Sequence, residues 1–469
     1  MQGIRTVLTS ARKQRLIDLD HRRLWHPFTQ MQGWSAEDPL IVSGGEGNEL
    51  IDIDGRRYLD GVSSLWCNVH GHRHPKIDQA VRDQLGRIAH STLLGLAQDT
   101  SIEFADALVR RLPDGLSRIF YSDNGSTAAE VAIKMAYSYH RLRGRKNRNK
   151  YITFEGAYHG DTLGSVSVGA IELFHEQFRP LLFPTHQLPY PFVRRAPWTK
   201  ADEPDPKALM AEVERRVAEI APDAVAIVIE PLIQGAAGMK TAPAGFLKLL
   251  RDLADEHGLL LIADEVATGF GRTGTMFACE QEGVTPDLLA MAKGISGGYL
   301  PIAATAATEE VYDAFLGAYE EFKTFFHGHT YTGNALACAA GLASLEVFDE
   351  EGTLDALSGK IERFTQGLAA VAELPHVAGI RQAGVMIGIE LVADTATGEG
   401  YAPRRRVGHQ VCMKARERDV IIRPLSDVII LNPPLSITPS QIDHLLETVH
   451  WSIEQITQGR DQDQGDDAP

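Results

Sequence analysis

Two short apolar runs constrain this chain more than any other feature. Leu259-Leu260-Leu261-Ile262-Ala263 stops at Asp264-Glu265, and Leu288-Leu289-Ala290-Met291-Ala292 stops at Lys293. Runs of this length, bounded by turn signals, fit strands buried on both faces of a sheet. In open α/β sheets ligands gather at the carboxyl ends of the strands, near the place where strand order reverses. Asp264 and Lys293 are therefore expected at two such ends. Taken singly, Asp264 could cap a turn and Lys293 could be an ordinary solvated lysine. Taken together they suit pyridoxal 5'-phosphate, whose aldehyde condenses with an amine and whose protonated pyridine nitrogen pairs with a carboxylate.

One competing motif lies between the runs. Gly269-Phe270-Gly271-Arg272-Thr273-Gly274 is a literal G-x-G-x-x-G. The dinucleotide fingerprint must open a helix straight after a strand and be followed by an acidic residue about 20 positions on. Here two carboxylates precede the glycines, and Pro286 cuts off any long helix after them. The same residues carry a different resemblance. Ala263-Asp264-Glu265-Val266-Ala267-Thr268-Gly269-Phe270-Gly271-Arg272-Thr273-Gly274, with Ala292-Lys293-Gly294, resembles the active-site signature of class III (ω-type) aminotransferases.

Composition excludes several other classes. The 469 residues are enough for two or three domains. A formal net charge of −16 argues against nucleic acid or an anionic membrane as the main partner. Cys67, Cys279, Cys338 and Cys412 are scattered without a C-x-x-C pair, as in a reducing cytoplasm. No run approaches the 18 apolar residues of a membrane span, and the N-terminus lacks a signal-peptide core.

In chain order, residues 1–20 read as polar and weakly helical, draped over a partner surface. Leu40-Ile41-Val42 and Glu49 to Gly61 read as a small antiparallel sheet, with Asp54-Gly55 as its turn. The alternating His70, His72 and His74 invite a metal reading, but Gly71 and Pro75 break the strand and no nearby ligand set completes a shell. Residues 76–112 carry two amphipathic helices. The strand Arg118-Ile119-Phe120-Tyr121 feeds Ser122-Asp123-Asn124-Gly125-Ser126-Thr127 and a helix, with Thr127 and Glu130 spaced as a capping box. Such a helix N-terminus favours an anion. The basic run Arg141 to Lys150 is expected to be a solvated loop, and 171–205 a long loop around the site mouth. Ala224 to Ile229 is another apolar strand, ending at Glu230. Alternating helices and strands from 76 to 345 call for a largely parallel, doubly wound sheet.

The resemblance extends from Trp25 to about Ile456, through Trp25-His26-Pro27, Asp60-Gly61-Val62-Ser63-Ser64, Tyr158-His159-Gly160-Asp161, Phe326-His327-Gly328 and Ile422-Arg423-Pro424. It implies the fold type I of pyridoxal-phosphate transferases: a large doubly wound domain (76–345), a small α/β domain (346–456) joined by an N-terminal segment (1–75), and a disordered tail (457–469). It also implies a homodimer with shared active sites. The implied cofactor contacts are Lys293, Asp264, Glu230, Gly125 and Ser126, with Tyr158 stacked on the pyridine and Thr330 reaching the neighbouring subunit's phosphate. The implied substrate walls are Phe28, Leu65, Trp66, Tyr158 and Gly328, with Arg423 holding a carboxylate through its guanidinium fork.

The branch that aminates 8-amino-7-oxononanoate to 7,8-diaminononanoate in biotin synthesis is the nearest match. An ω-amino-acid:pyruvate enzyme and a non-catalytic homologue are the alternatives, the latter opposed by the intact Lys293 and Asp264. Users of S-adenosylmethionine in this branch carry Tyr, paired tryptophans and Pro where this chain has Phe28, Leu65-Trp66 and His329. On that ground lysine is expected as the amino donor ahead of S-adenosylmethionine.

Overall fold

The structure is a computed structural model and describes residues 2–193 and 205–457. The tail expected to be disordered lies outside the described residues apart from its first position, as does 194–204 of the expected long loop.

A seven-stranded sheet organises the molecule. Its strands are β1 (Leu116–Ser122), β2 (Lys150–Phe154), β3 (His186–Leu188), β4 (Ala224–Ile229), β5 (Leu260–Asp264), β6 (Leu288–Met291) and β7 (Ala303–Thr308). Across the sheet the order is β3-β2-β4-β5-β6-β7-β1. The pairs from β3 to β6 are parallel, whereas β7 runs antiparallel to both β6 and β1. The expected sheet is thus mixed, with one reversed strand. That strand reads Ala-Ala-Thr-Ala-Ala-Thr, too weakly apolar to stand out in the sequence.

The apolar runs fail to alternate because both faces of the sheet are covered. Ile227, Ile229, Leu261 and Ala263 pack on one side with Phe246, Leu247 and Leu250 of the helix Phe246–His257. Ala226, Val228, Leu260 and Ile262 pack on the other with Ala132, Ile133 and Ala136 of the helix Gly125–Leu142. Side chains of period two therefore meet a core on either face. Each such Leu or Ile contributes about 1.5–3 kcal/mol by burial.

Two four-stranded sheets flank this one, and Ile233–Gln234 pairs with Lys240–Thr241 in a two-stranded ladder. Val42–Glu46, Glu49–Asp52 and Arg57–Asp60 form the expected antiparallel set, and Val420–Ile421 adds to it in parallel beside Arg57–Asp60. Asp52 Oδ1 accepts the backbone N–H of Asp54 and Arg56 at 2.9 Å each, which fixes the turn at Asp54-Gly55. Val377–Ala383, Met386–Leu391, Val428–Leu431 and Arg423–Leu425 make the other sheet. Val420-Ile421-Ile422-Arg423-Pro424, which reads in the sequence as one strand, is therefore two. It breaks at the buried Ile422 and serves a different sheet on either side of the break.

The N-terminal stretch is a helix, Gln2–Arg23. No helix among the described residues is long and apolar enough to cross a membrane.

Candidate active site

The carboxyl edge of the large sheet delivers one functional segment per strand. β1 leads to Asn124-Gly125-Ser126, β2 to Tyr158-His159 and β4 to Glu230, while β5 ends on Asp264 and β6 is followed by Lys293. β7 runs the other way, so its beginning lies at this edge and brings Leu300, Pro301 and Ile302 there. All these residues surround one cavity of about 750 Å³, closed on a further side by Leu65, Trp66 and Cys67. Asp264 pairs in register with Ala290 on β6, three residues before Lys293. The two sequence runs thus deliver carboxylate and amine to one chamber.

Asp264 is braced from behind. His159 Nδ1 lies 2.7 Å from its Oδ2, and the Val266 N–H donates to its Oδ1 at 3.0 Å. Burial works against a charge on His159, yet the hydrogen bond and charge of Asp264, with Glu230 beyond, raise its pKa above the ordinary histidine value. Glu230 is held by the backbone N–H of Tyr158 at 3.1 Å and of Gly235 at 3.0 Å. Burial pushes its pKa up to about 7. Burial also lowers the Lys293 amine below the usual lysine range, with Asp264 and Glu230 opposing the fall. An amine so shifted is a better nucleophile and base near neutral pH. Lys293 has φ 48°, a left-handed backbone that costs of order 1–3 kcal/mol in a non-glycine residue and gathers at functional sites.

The loop after β1 is locked to the loop after β2. The Asp161 N–H donates to Ser126 Oγ at 2.8 Å. Gly160 has φ 121°, and a Cβ there would lie 1.9 Å from Ser126 Oγ, so a side chain would push the two loops apart. Gly125 is bare for a different neighbour, since a Cβ would lie 2.6 Å from Val266 Cγ1. The helix starts one turn before the expected capping box. Asn124 is its N-cap, accepting the Thr127 N–H at 3.1 Å while its own N–H donates to Thr127 Oγ1 at 3.0 Å. Glu130 instead accepts the Thr162 hydroxyl at 2.6 Å and the Gly164 N–H at 2.7 Å. The N–H groups of Gly125 and Ser126, at the first two helical positions, have no acceptor within the helix, and both residues line the cavity.

The sequence candidates divide accordingly. Lys293, Asp264, Tyr158, Glu230, Gly125, Ser126, Leu65 and Trp66 line the cavity. Phe28 is exposed outside that wall, although its ring meets Phe174 at 5.3 Å and Phe174 meets Tyr158 at 6.3 Å. Gly328 and Thr330 are exposed and away from this chain's own cavity, with the Thr330 carbonyl 2.8 Å from His90 Nε2. Arg423 is half-buried on its strand and also outside the cavity wall. His159 is the residue that sequence reasoning leaves without a role. Its motif lies at a strand end, but nothing in the chain pairs position 159 with 264.

The glycine-rich and histidine-rich motifs have structural roles. Gly269 to Gly274 forms turns with no helix behind them, only the short 3-10 segment Ala278–Glu282. Arg272 from this stretch is buried and donates to the Asn68 and Pro433 carbonyls at 2.8 and 2.6 Å. His70, His72 and His74 go to separate partners, Ser344, Asp60 and Glu351.

This donor set fits pyridoxal phosphate: a buried amine, a braced carboxylate, an aromatic ring in the wall and a helix N-terminus with free N–H groups. Comparison with known proteins carries the same conclusion. The family model for class III aminotransferases matches residues 31–453, and the chain belongs to that family. It is a pyridoxal-phosphate-dependent transaminase of fold type I. The chain is 56% identical over 451 residues (96% of this chain, 83% of the other) to the adenosylmethionine-8-amino-7-oxononanoate aminotransferase of Nitratidesulfovibrio vulgaris. It is 51% identical over 448 residues (95% and 99%) to the protein of that name from Geobacter sulfurreducens. A crystal structure of adenosylmethionine-8-amino-7-oxononanoate aminotransferase from Methanocaldococcus jannaschii superposes with a TM-score of 0.90 at 43% identity, covering 94% of this chain and 99% of that one.

Proposed function

We propose that the enzyme transfers an amino group from S-adenosylmethionine to 8-amino-7-oxononanoate, giving 7,8-diaminononanoate for biotin synthesis. The observation that carries this reading is the Lys293–Asp264 chamber in a chain 43–56% identical to the relatives named above. Their names favour adenosylmethionine as donor over the lysine expected from Phe28, Leu65 and His329.

Bound pyridoxal phosphate supplies an aldehyde that carries the amino group and a ring that accepts electrons from the donor carbon. Lys293 Nζ would hold the cofactor through its aldehyde, and its amine is placed to move the proton at the donor's α-carbon. Asp264 carries the negative charge that keeps the pyridine nitrogen protonated, and His159 holds that carboxylate in place. Gly125 and Ser126 offer their N–H groups to the phosphate, and Tyr158 covers a ring face. Leu65, Trp66, Phe28 and Gly328 shape the substrate space, and Arg423 takes the acceptor's distal carboxylate. The Arg423 guanidinium makes no hydrogen bond or ion pair among the described residues, as suits a cation kept for a ligand.

We also propose a homodimer in the cytoplasm, with Thr330 reaching the neighbouring subunit's cofactor phosphate. Leu94, Tyr319, Phe326 and Tyr331 are exposed, and a neighbouring subunit would cover such residues. All four cysteines are free, in keeping with a reducing compartment.

The test is to incubate the purified enzyme with 8-amino-7-oxononanoate and, separately, S-adenosylmethionine, lysine or an ω-amino acid, reading product by mass spectrometry. 7,8-Diaminononanoate from S-adenosylmethionine supports the proposal. Product from lysine alone would reassign the donor, and transamination of pyruvate without any of the diamine would reassign the enzyme.

A further inference from the structure

Lys293 and Trp66 face each other in a way the reaction so far does not use. The Lys293 Nζ lies over the Trp66 ring, 5.3 Å from its centroid. That amine makes no hydrogen bond or ion pair among the described residues and lies against the ring face, while Asp264, Glu230 and Cys67 nearby also favour its charge and Arg272 opposes it. Trp66 is itself held with unusual firmness for a pocket wall. Its backbone sits at φ 62°, and Ser63 and Ser64 before it at 51° and 61°. Asp60, fully buried, fastens this turn by accepting the Ser64 N–H at 2.8 Å, with His72 Nε2 2.9 Å from the same oxygen. The ring packs among Ile233, Met239, Met386 and Ile430. A Cβ on Gly235 would come within 3.0 Å of Trp66 Cζ3, so the ring rests on bare backbone there. Three left-handed residues and a buried carboxylate are a large structural outlay for a hydrophobic wall that many rotamers could provide.

We propose that Trp66 is a positioning residue for Lys293: its indole face receives the ammonium whenever the amine is free, and fixes both where the amine rests and how readily it holds a proton. The proposal rests on the reading of Lys293 as the cofactor-bearing amine. An aromatic face attracts a cation through its quadrupole and has no such preference for the neutral amine, most strongly where water is excluded. Trp66 therefore favours the protonated state, in opposition to burial. It gives the amine a resting place during the part of the cycle in which the donor has displaced it.

The test compares wild type, Trp66→Phe and Trp66→Leu as full-length protein freed of cofactor. The rate of Lys293 reductive methylation is followed across pH by peptide mass spectrometry. With the ring face gone, the amine loses its proton more easily, so in Trp66→Leu the labelling midpoint moves down by about one pH unit. Trp66→Phe, which keeps a weaker face, falls between. Greater access to the chamber would raise the rate at every pH and leave the midpoint in place, so an unmoved midpoint in both variants overturns the proposal. An upward move overturns it as well. Should Trp66→Leu fail to fold, the smaller downward move in Trp66→Phe decides alone. The underlying reading has its own control: if Lys293→Ala binds pyridoxal phosphate with the same visible absorbance as wild type, Lys293 is not the cofactor-bearing amine, whatever the labelling result.

Discussion

The floor and the rim of the chamber are built by different means. Every floor residue (Asp264, Lys293, Glu230, Tyr158, Gly125) follows the carboxyl end of a strand in one sheet, and the sheet's register fixes their separations. The proposed rim draws on remote segments: Leu65 lines the cavity, whereas Phe28 of the N-terminal region, Arg423 on a strand of another sheet, and Gly328 and Thr330 of an exposed loop lie outside its wall. A floor of this kind preserves one chemistry across a family, while a rim of loops and edges can change substrate without disturbing the sheet.

If the floor carries the chemistry, changes there reduce rate whatever the substrate. Lys293→Ala is expected to lower turnover by more than about 10⁴-fold, the upper end of what a positioned acid–base group supplies, and to abolish the visible absorbance of the lysine-bound cofactor. Near-normal turnover in that variant contradicts the assignment.

Glu230 is the next largest. Its folded-state pKa is about 7 against an ordinary 4.5, raised first by burial. Between those values the folded protein keeps a proton that the unfolded chain has lost, so this group's contribution to stability falls as pH rises through the window. The interval corresponds to roughly 3 kcal/mol. Glu230→Gln removes the effect, so the cofactor-free variant gains stability relative to wild type from pH 4.5 to 7. Denaturant unfolding at a series of pH values reads the difference, and a flat difference contradicts the buried, protonatable state.

At the rim the signature is opposite in kind. Arg423→Ala is expected to raise the KM for 8-amino-7-oxononanoate at least about 30-fold, roughly 2 kcal/mol, the low end for losing one partner of a charge pair. The absorbance of the bound cofactor stays unchanged. Equal loss with every acceptor, or a loss of cofactor, would move Arg423 from the rim to the floor.

The same division accounts for what the sequence discloses. Asp264, Lys293 and Glu230 are legible because each one ends an apolar run, and a strand covered on both faces stays apolar without alternating, whereas Tyr158 and Gly125 take their roles from family resemblance. β7 is hidden by its Ala-Thr composition, and the Asp264–His159 contact by a separation of 105 residues. The capping box falls elsewhere than its spacing suggests because Asn124 and Thr127 satisfy each other while Glu130 is drawn to the Thr162–Gly164 turn. Val420 to Pro424 reads as one strand because apolar character continues across the break at Ile422. Rim positions come only from family resemblance. The packing of Phe28 on Phe174 and the exposure of Thr330 depend on loops that periodicity does not encode.

Transamination through one amine at the floor makes a strict demand on order and amount. The donor alone must react with the loaded enzyme, and the acceptor must then reverse that change. Mixing S-adenosylmethionine with the holoenzyme in the absence of acceptor should bleach one equivalent of the lysine-bound cofactor absorbance per active site. Adding 8-amino-7-oxononanoate should restore it, with one equivalent of 7,8-diaminononanoate formed. Bleaching that the acceptor does not restore, or diamine formed only when both substrates are present together, would contradict an amino group carried at Lys293 and Asp264.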